Sequence, residues 1–240
     1  MAINVNTVYQ TVLMILNKEQ RGYMTPTEFN TVATQVQLEI FEKYFDDLNQ
    51  QLRIPQADTD YADRQENIDE KIAIFKTVGD ATLVANTDYF SLPTTDSYGA
   101  NVDFYRLGNV LYNGEKVVQR LDRREFYYAN QSRLTKPSTI NPAYLYENQK
   151  LFIKPSTIVD KIKVDYIRKP NDVVWGFVPG SLGQYEYQDD DTSTNFELHI
   201  SEQTEVVLKI LLYAGIIIRD PQIVQAAASQ VQADEVNKKS

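Results

Sequence analysis

The hydrophobic period changes twice along this chain of 240 residues, and each change marks a different kind of element. Near the start, Val5, Val8, Tyr9, Val12, Leu13 and Leu16 recur at i, i+3, i+4 and i+7, the spacing of an amphipathic helix. In the middle, Ile162, Val164 and Tyr166 alternate with Lys161, Lys163 and Asp165, the spacing of a strand with one apolar face. Towards the end, Val207, Ile210, Leu211, Ala214 and Ile218 return to helical spacing. The expectation is an α+β fold. N- and C-terminal helices form a helical body, and a central antiparallel β domain is inserted between them.

Local signals divide the chain further. Arg21-Gly22 is expected to end the first helix. Thr25-Pro26-Thr27-Glu28 is a capping box with proline at the first helical position. The helix it opens carries Phe29, Val32, Val36, Ile40, Tyr44 and Leu48, and is expected to run to about Leu52, before Pro55. With the first helix it should form an αα-hairpin. Ile68, Ile72 and Phe75 keep a weaker helical spacing between Tyr61 and Lys76, read as a short helix or an ordered linker, with Gly79-Asp80 closing it. Ala81 to Leu92 reads as one or two strands broken at Asn86-Thr87-Asp88. Asn113-Gly114, between Val110-Leu111-Tyr112 and Val117-Val118, predicts a hairpin with a two-residue turn. Asp122 to Arg133 is helix-compatible, with Phe126 and Tyr127 expected to be buried. Ala143–Tyr146 and Leu151–Ile153 form a second hairpin. Trp175 to Asp191 reads as a long loop. Ser201 or Thr204 should cap the late helix, and Asp220-Pro221 should open a last one carrying Ile223, Val224, Ala227 and Val231. The expected division is a helical region over 1–79, a β domain over 80–170, a long loop over 171–200, and helices over 201–240 that pack on the N-terminal ones.

Composition then narrows the chemistry. There is no cysteine, which removes disulfides, thiolate zinc sites and cysteine nucleophiles. His199 is the only histidine, with no Gly-x-Ser-x-Gly elbow to serve, so it is expected at the surface or half-buried. Gly176, Gly180 and Gly183 lack the Lys-Ser or Lys-Thr of a phosphate loop. Asp189-Asp190-Asp191 fails as a calcium loop, because Thr194 stands where the turn glycine is needed. No catalytic, cofactor or metal residues are assigned, and the chain is expected not to be an enzyme. No secretory leader is read at the N-terminus, and the apolar run Val206–Ile218 is too short to span a bilayer.

The net charge of -9 disfavours non-specific binding to nucleic acid through the field of the whole molecule. Basic residues nevertheless gather at Lys116, Arg120, Arg123, Arg124, Arg133 and Lys136, and continue through Lys150, Lys154, Lys161, Lys163, Arg168 and Lys169. That asymmetry suits head-to-tail packing, nucleic acid passing nearby, or a merely solvated surface. The 16 tyrosines suit either strands or wet interfaces.

Several segments together carry a resemblance. They are Val12–Tyr23 (VLMILNKEQRGY), Thr25–Asn30 (TPTEFN), Gln37–Glu42 (QLEIFE), Leu151–Pro155 (LFIKP), Val164–Pro170 (VDYIRKP) and Trp175. The set resembles virion structural proteins of tailed bacteriophages, including those of crAss-like phages, and within them the head–tail connector, adaptor or ring proteins below the portal. The resemblance covers more than half the chain and contains no catalytic motif. It implies a homo-oligomeric ring, commonly of twelve subunits, docked on the portal protein or on a neighbouring tail or ring protein. It implies assembly in the host cytoplasm, residence in the virion, and a channel through which genomic DNA passes without specific binding. A net negative wall would suit such a channel. The residues expected to meet neighbours are Asn113 and Gly114 at the hairpin tip, Trp175, Phe177, Tyr185 and Tyr187 in the loop, and Pro221, Ile223 and Val224 in the last helix. Two other functions stay open on the residues alone: a carbohydrate- or receptor-binding module using the tyrosines, and a carboxylate-dependent cell-wall hydrolase.

Overall fold

The structure is a computed structural model that describes residues 2–18, 23–51, 60–96, 99, 101, 103–181, 183–188, 192–218, 225 and 227–233. It contains helices and a large, mostly antiparallel sheet, so the fold is α+β. The chain divides into two compact units, one made of residues 1–74 and 170–240, the other of residues 75–169.

The first unit is helical. Helix α1 (Val5–Lys18) buries Val5, Val8, Tyr9, Val12 and Leu16 on one stripe, as its periodicity predicts. Helix α2 (Pro26–Gln51) opens on the capping box. The Thr25 N–H donates to Glu28 Oε2 at 2.9 Å, and the Glu28 N–H donates to Thr25 Oγ1 at 3.4 Å. The Thr25 hydroxyl also donates to Glu28 Oε2, at 2.7 Å. The two bonds to the carboxylate, first from the Thr25 backbone and then from its side chain, hold the Glu28 carboxyl below its ordinary range. Helix α3 (Asp60–Ala73) occupies the weakly periodic stretch and packs on α2. Helix α5 (Gln203–Ile218) buries Val206, Ile210, Leu211 and Ala214. The expected αα-hairpin is not what brings the first helices together. Both α1 and α2 pack against α5, and they meet each other where the Tyr9 and Phe29 rings lie 4.7 Å apart. The cap before α5 also differs from expectation. His199 Nδ1 accepts from the Ser201 N–H at 3.3 Å and caps a 3₁₀ turn, Ile200–Glu202, that leads into the helix. Residues 227–233 are helical, with Ala227 buried and Val231 half-buried. Arg21-Gly22, Leu52 and Pro55, Asp189-Asp190-Asp191 and Asp220-Pro221 lie outside the described residues.

The second unit is a closed sheet. Its strands are β1 (Lys76–Leu83), β2 (Tyr89–Ser91), β3 (Phe104–Tyr112), β4 (Lys116–Val117), β5 (Gln119–Arg120), β6 (Ala143–Glu147), β7 (Lys150–Lys154) and β8 (Ile162–Arg168). They are ordered β4-β3-β8-β1-β2-β7-β6-β5. The two ends of that order are consecutive in the chain, separated only by Val118. One short segment therefore pairs with β3 through its first half and with β6 through its second, and the sheet closes into a barrel. Closure leaves no long edge unpaired. The alternating side chains of β8 that point inward, Ile162, Val164 and Tyr166, join Phe90, Val110, Val118, Leu151 and Ile153 in the interior. Helix α4 (Arg123–Gln131) lies against β6 and buries Phe126.

Three expectations about this unit need correction. Gly79-Asp80 does not stop a helix but sits inside β1, opposite Val164 and Lys163. A Cβ on Gly79 would fall 2.6 Å from the Pro93 Cβ, so the glycine serves a close approach between chain segments. The Asn113-Gly114 hairpin pairs Tyr112 with Lys116, so its loop has three residues, with positive φ at Asn113 and Gly114 and Glu115 added. Tyr127 is 55% exposed, because only one side of the short α4 faces the barrel and Phe126 occupies it.

Candidate interaction site

Residues 171–200, expected as a long loop, hold a hairpin of β9 (Phe177–Pro179) and β10 (Tyr185–Tyr187), with Tyr187 opposite Phe177. What places it is a set of polar side chains on α2. Asn30, Thr34 and Gln37 recur at i, i+4 and i+7 and so share one helix face. Each serves the backbone of a different residue in the extended segment that passes over the helix. Asn30 Oδ1 accepts from the Trp175 N–H at 2.8 Å. Thr34 Oγ1 accepts from the Val173 N–H at 3.1 Å. Gln37 Nε2 donates to the Asn171 carbonyl at 2.7 Å, while its Oε1 accepts from the Glu197 N–H at 2.9 Å. Sequential helix side chains thus do for this segment what a neighbouring strand would do. Val174 also exchanges backbone bonds with Thr194, and the Asn171 N–H donates to Glu197 Oε2.

The segment delivers Trp175 to the interior, 4% exposed, where its indole N–H donates to Asn6 Oδ1 at 3.1 Å. Its ring meets Tyr9 at 4.5 Å and stacks on Phe177 at 6.0 Å and on Tyr187 at 5.6 Å. Phe177 in turn meets Tyr185 edge-on at 5.0 Å. The series runs from a buried ring at Trp175, through half-buried Phe177 and Tyr187, to Tyr185 at 42% exposed. Val178, on the opposite side of β9, is 40% exposed. Of the four residues expected to contact neighbours here, Trp175 is structural support and Tyr185 presents the most surface. Burial, and then the neighbouring Tyr23 hydroxyl, push the Tyr9 hydroxyl far above the ordinary phenol range, so the base of the series stays uncharged. Aromatic rings anchored at one end and exposed at the other are typical of surfaces that contact protein or sugar. The hairpin strands have three residues each, too few for an alternation to stand out, so the sequence signal for them is the spacing of Phe177, Tyr185 and Tyr187 around turn glycines.

The Asn113-Gly114 tip lies in the barrel unit, apart from this series in the chain. Both residues are exposed and border an open groove of about 610 Å³, whose lining includes Asp80, Leu83, Val159, Lys161 and Lys163. Pro221, Ile223 and Val224 fall outside the described residues.

Three carboxylates of the helical unit, two of them buried, are engaged by lysines or a tyrosine. Glu202 is 1% exposed and accepts from Lys71 Nζ, and Glu205 is 6% exposed and accepts from Lys43 Nζ at 3.1 Å. Glu39 takes the Tyr213 hydroxyl and Lys209 Nζ, the latter at 3.5 Å. Their geometry ties α2, α3 and α5 together rather than opening onto a cleft. Among the described residues, no group of three or more His, Asp or Glu side chains is arranged to hold a metal ion. Nor is any helix among them long and apolar enough to cross a membrane.

Charge separates with the two units. Residues 75–169 carry 14 basic and 10 acidic residues, whereas the remainder carries 10 basic and 23 acidic. Compared with protein-family models and with curated proteins, the chain matches none.

Proposed function

We propose that this chain is a structural subunit of a tailed-bacteriophage virion, in a ring of the connector between portal and tail. It would join capsid to tail and line the channel through which the genome leaves. The observation that carries this reading is the division of one chain into an acidic helical unit and a basic barrel. Head-to-tail packing of identical subunits needs two unlike surfaces on each copy, and opposite charge supplies them. The resemblance of the N-terminal helices and the β segments to virion proteins supports the same reading. So does the engagement of the buried carboxylates by lysines, which spends them on packing rather than on acid–base chemistry. The virion is the location that follows.

The test is native mass measurement and negative-stain imaging of the purified chain, alone and mixed with portal-containing virion fractions. Rings, or co-sedimentation with the portal, are expected. A purified monomer that turns over a substrate without any partner protein overturns the proposal.

A second reading rests on the aromatic series of the β9–β10 hairpin. Exposed Tyr185 beside half-buried Phe177 and Tyr187 offers a stacking surface for a sugar ring. A receptor-binding module of the tail would then show saturable glycan affinity that Tyr185→Ala removes. Absence of glycan binding, with portal binding intact, decides for the connector.

A further inference from the structure

We propose that the exposed side of α4 and the loop after it form a docking surface for a second copy of this chain, received by the outer faces of α2 and α3. The proposal rests on the subunit-assembly reading above and names the contact that would build it.

Helix α4 gives only Phe126 to the barrel. Its other side presents Arg123, Arg124, Tyr127 and Tyr128 to solvent, the two tyrosines at 55% and 62% exposure. Beyond it, Leu134 is 98% exposed and Ile140 is 71% exposed. A monomer has no use for that apolar area in water. The arginines are only lightly engaged within the chain. Arg123 reaches Glu147 at 3.8 Å with its side chain 70% exposed, and Arg124 lies over the Tyr128 ring at 5.7 Å. Tyrosine, arginine and aliphatic residues within one short, exposed stretch of chain have the composition of an interface. Arginine and tyrosine alone would also suit single-stranded nucleic acid, by phosphate pairing and base stacking. Leu134 and Ile140 decide against that, because aliphatic side chains gain nothing from a phosphate backbone.

The acidic counterpart is on the helical unit. Glu42 and Asp46 on α2, and Glu66 and Glu70 on α3, are exposed like-charge pairs at i, i+4. Such pairs weaken their own helices unless a cation comes from outside. The lysines nearest in sequence do not serve them. Lys43 and Lys71 turn inward to Glu205 and Glu202, with side chains 19% and 25% exposed. Each inward lysine is matched by an inward carboxylate, so the net acidity of the helical unit stays on its outer surface. One copy offers exposed arginines with tyrosines and aliphatic residues, and another copy's α2 and α3 offer exposed carboxylates. A contact between unlike surfaces propagates from copy to copy, into a ring or a filament.

Sedimentation velocity of the full chain over a concentration series tests this, at about 0.05 M and about 0.5 M salt. Self-association is expected at low salt and should weaken at high salt. Arg123→Glu/Arg124→Glu and, separately, Glu42→Lys/Asp46→Lys should each weaken it by about tenfold or more. Mixing the two charge-reversed forms should restore association, which no loss of folding would do. Leu134→Asp, at an almost fully exposed site, should weaken it without changing the melting temperature. Wild-type chain that stays monomeric throughout the series, or association indifferent to these changes, overturns the proposal. So does unchanged self-association accompanied by lost binding of a single-stranded oligonucleotide. Portal binding without self-association sinks this contact and leaves the connector reading standing. Self-association into open chains, with neither rings nor portal binding, does the reverse.

Discussion

Replacing Gln37 with leucine removes a side chain that bonds to two separate extended segments at once. Gln37 is 1% exposed and of nearly the same volume as leucine, so the exchange changes hydrogen bonding far more than packing. Two backbone groups lose a partner, the Asn171 carbonyl and the Glu197 N–H. Asn171 is exposed, and water can replace the donor at little cost. Glu197 is half-buried, and an N–H left without an acceptor there costs about 1–3 kcal/mol. Burying a methyl group where an amide stood returns part of that. The net expectation is a loss of about 2 kcal/mol, and with a urea dependence of about 2 kcal/mol per molar the midpoint should fall by about 1 M. Trp175 is the only tryptophan and lies on the affected segment, so its fluorescence reports this unit directly. Asn30→Ala, which strips the acceptor from the buried Trp175 N–H, should cost a similar amount. The double variant should lose less than the sum, because once one end of the segment detaches the other has less to hold. A Gln37→Leu protein within about 0.5 kcal/mol of wild type, with unchanged tryptophan emission, would refute the claim that α2 side chains hold this segment in place.

Three further outcomes follow from single groups. Tyr166 Oη is buried in the barrel without a hydrogen-bond partner among the described residues, so Tyr166→Phe should hold or raise stability, by up to about 1 kcal/mol, in thermal unfolding. A clear loss would reveal a buried partner for that hydroxyl. The Glu28 carboxyl has a depressed pKa in the folded chain, so its contribution is present above the ordinary carboxylate range and is lost as pH falls through the lowered value. Glu28→Gln keeps the capping geometry without titrating, and should flatten the acid side of the stability–pH curve; an unchanged acid limb would contradict this. The Tyr213 hydroxyl is pushed up to about 12, first by its hydrogen bond to Glu39 and then by burial. Because the raised value favours the neutral phenol, that contribution is complete below the ordinary tyrosine range and fades as pH climbs towards the raised value. Phenolate absorbance should show Tyr213 among several late-titrating tyrosines, Tyr9 and Tyr44 included, and Glu39→Gln should reduce the late-titrating set by one.

Elements with a self-sufficient local code were legible in the residues. The stripe of Val5, Val8, Tyr9, Val12 and Leu16 needs only a helical period to declare itself, and Thr25 with Glu28 closes its own hydrogen bonds. The alternation in β8 and the turn at Asn148-Gln149 belong to the same class, with Glu147 paired to Lys150 as the β6–β7 hairpin requires. What escaped was everything that depends on a partner distant in the chain. Gly79 looks like a helix stop until Pro93 is seen beside it. Closure of the barrel depends on Lys116–Arg120 pairing in two directions at once, and a five-residue segment carries no period that announces two neighbours. Tyr127 and Phe126 are indistinguishable by hydropathy, and only the side on which α4 meets β6 separates them.

The polar residues on α2 were the least legible of all, and they matter most to the interaction site. Asn30, Thr34 and Gln37 interrupt the apolar stripe of Phe29, Val32, Val36 and Ile40 only slightly, and read as an ordinary solvated flank. Their partners are backbone groups more than 130 residues away, and a backbone has no sequence signature. The same reasoning governs charge. A tally treats Lys43 and Lys71 as relief for neighbouring carboxylates, yet both are drawn inward by Glu205 and Glu202. The arginines of α4 stay outside, since the barrel interior takes only Phe126 from that helix. The inward lysines take one carboxylate each with them, so folding leaves the contrast between acidic helices and basic barrel undiminished at the surface. That contrast, rather than the net charge of the whole chain, is what a neighbouring surface would meet.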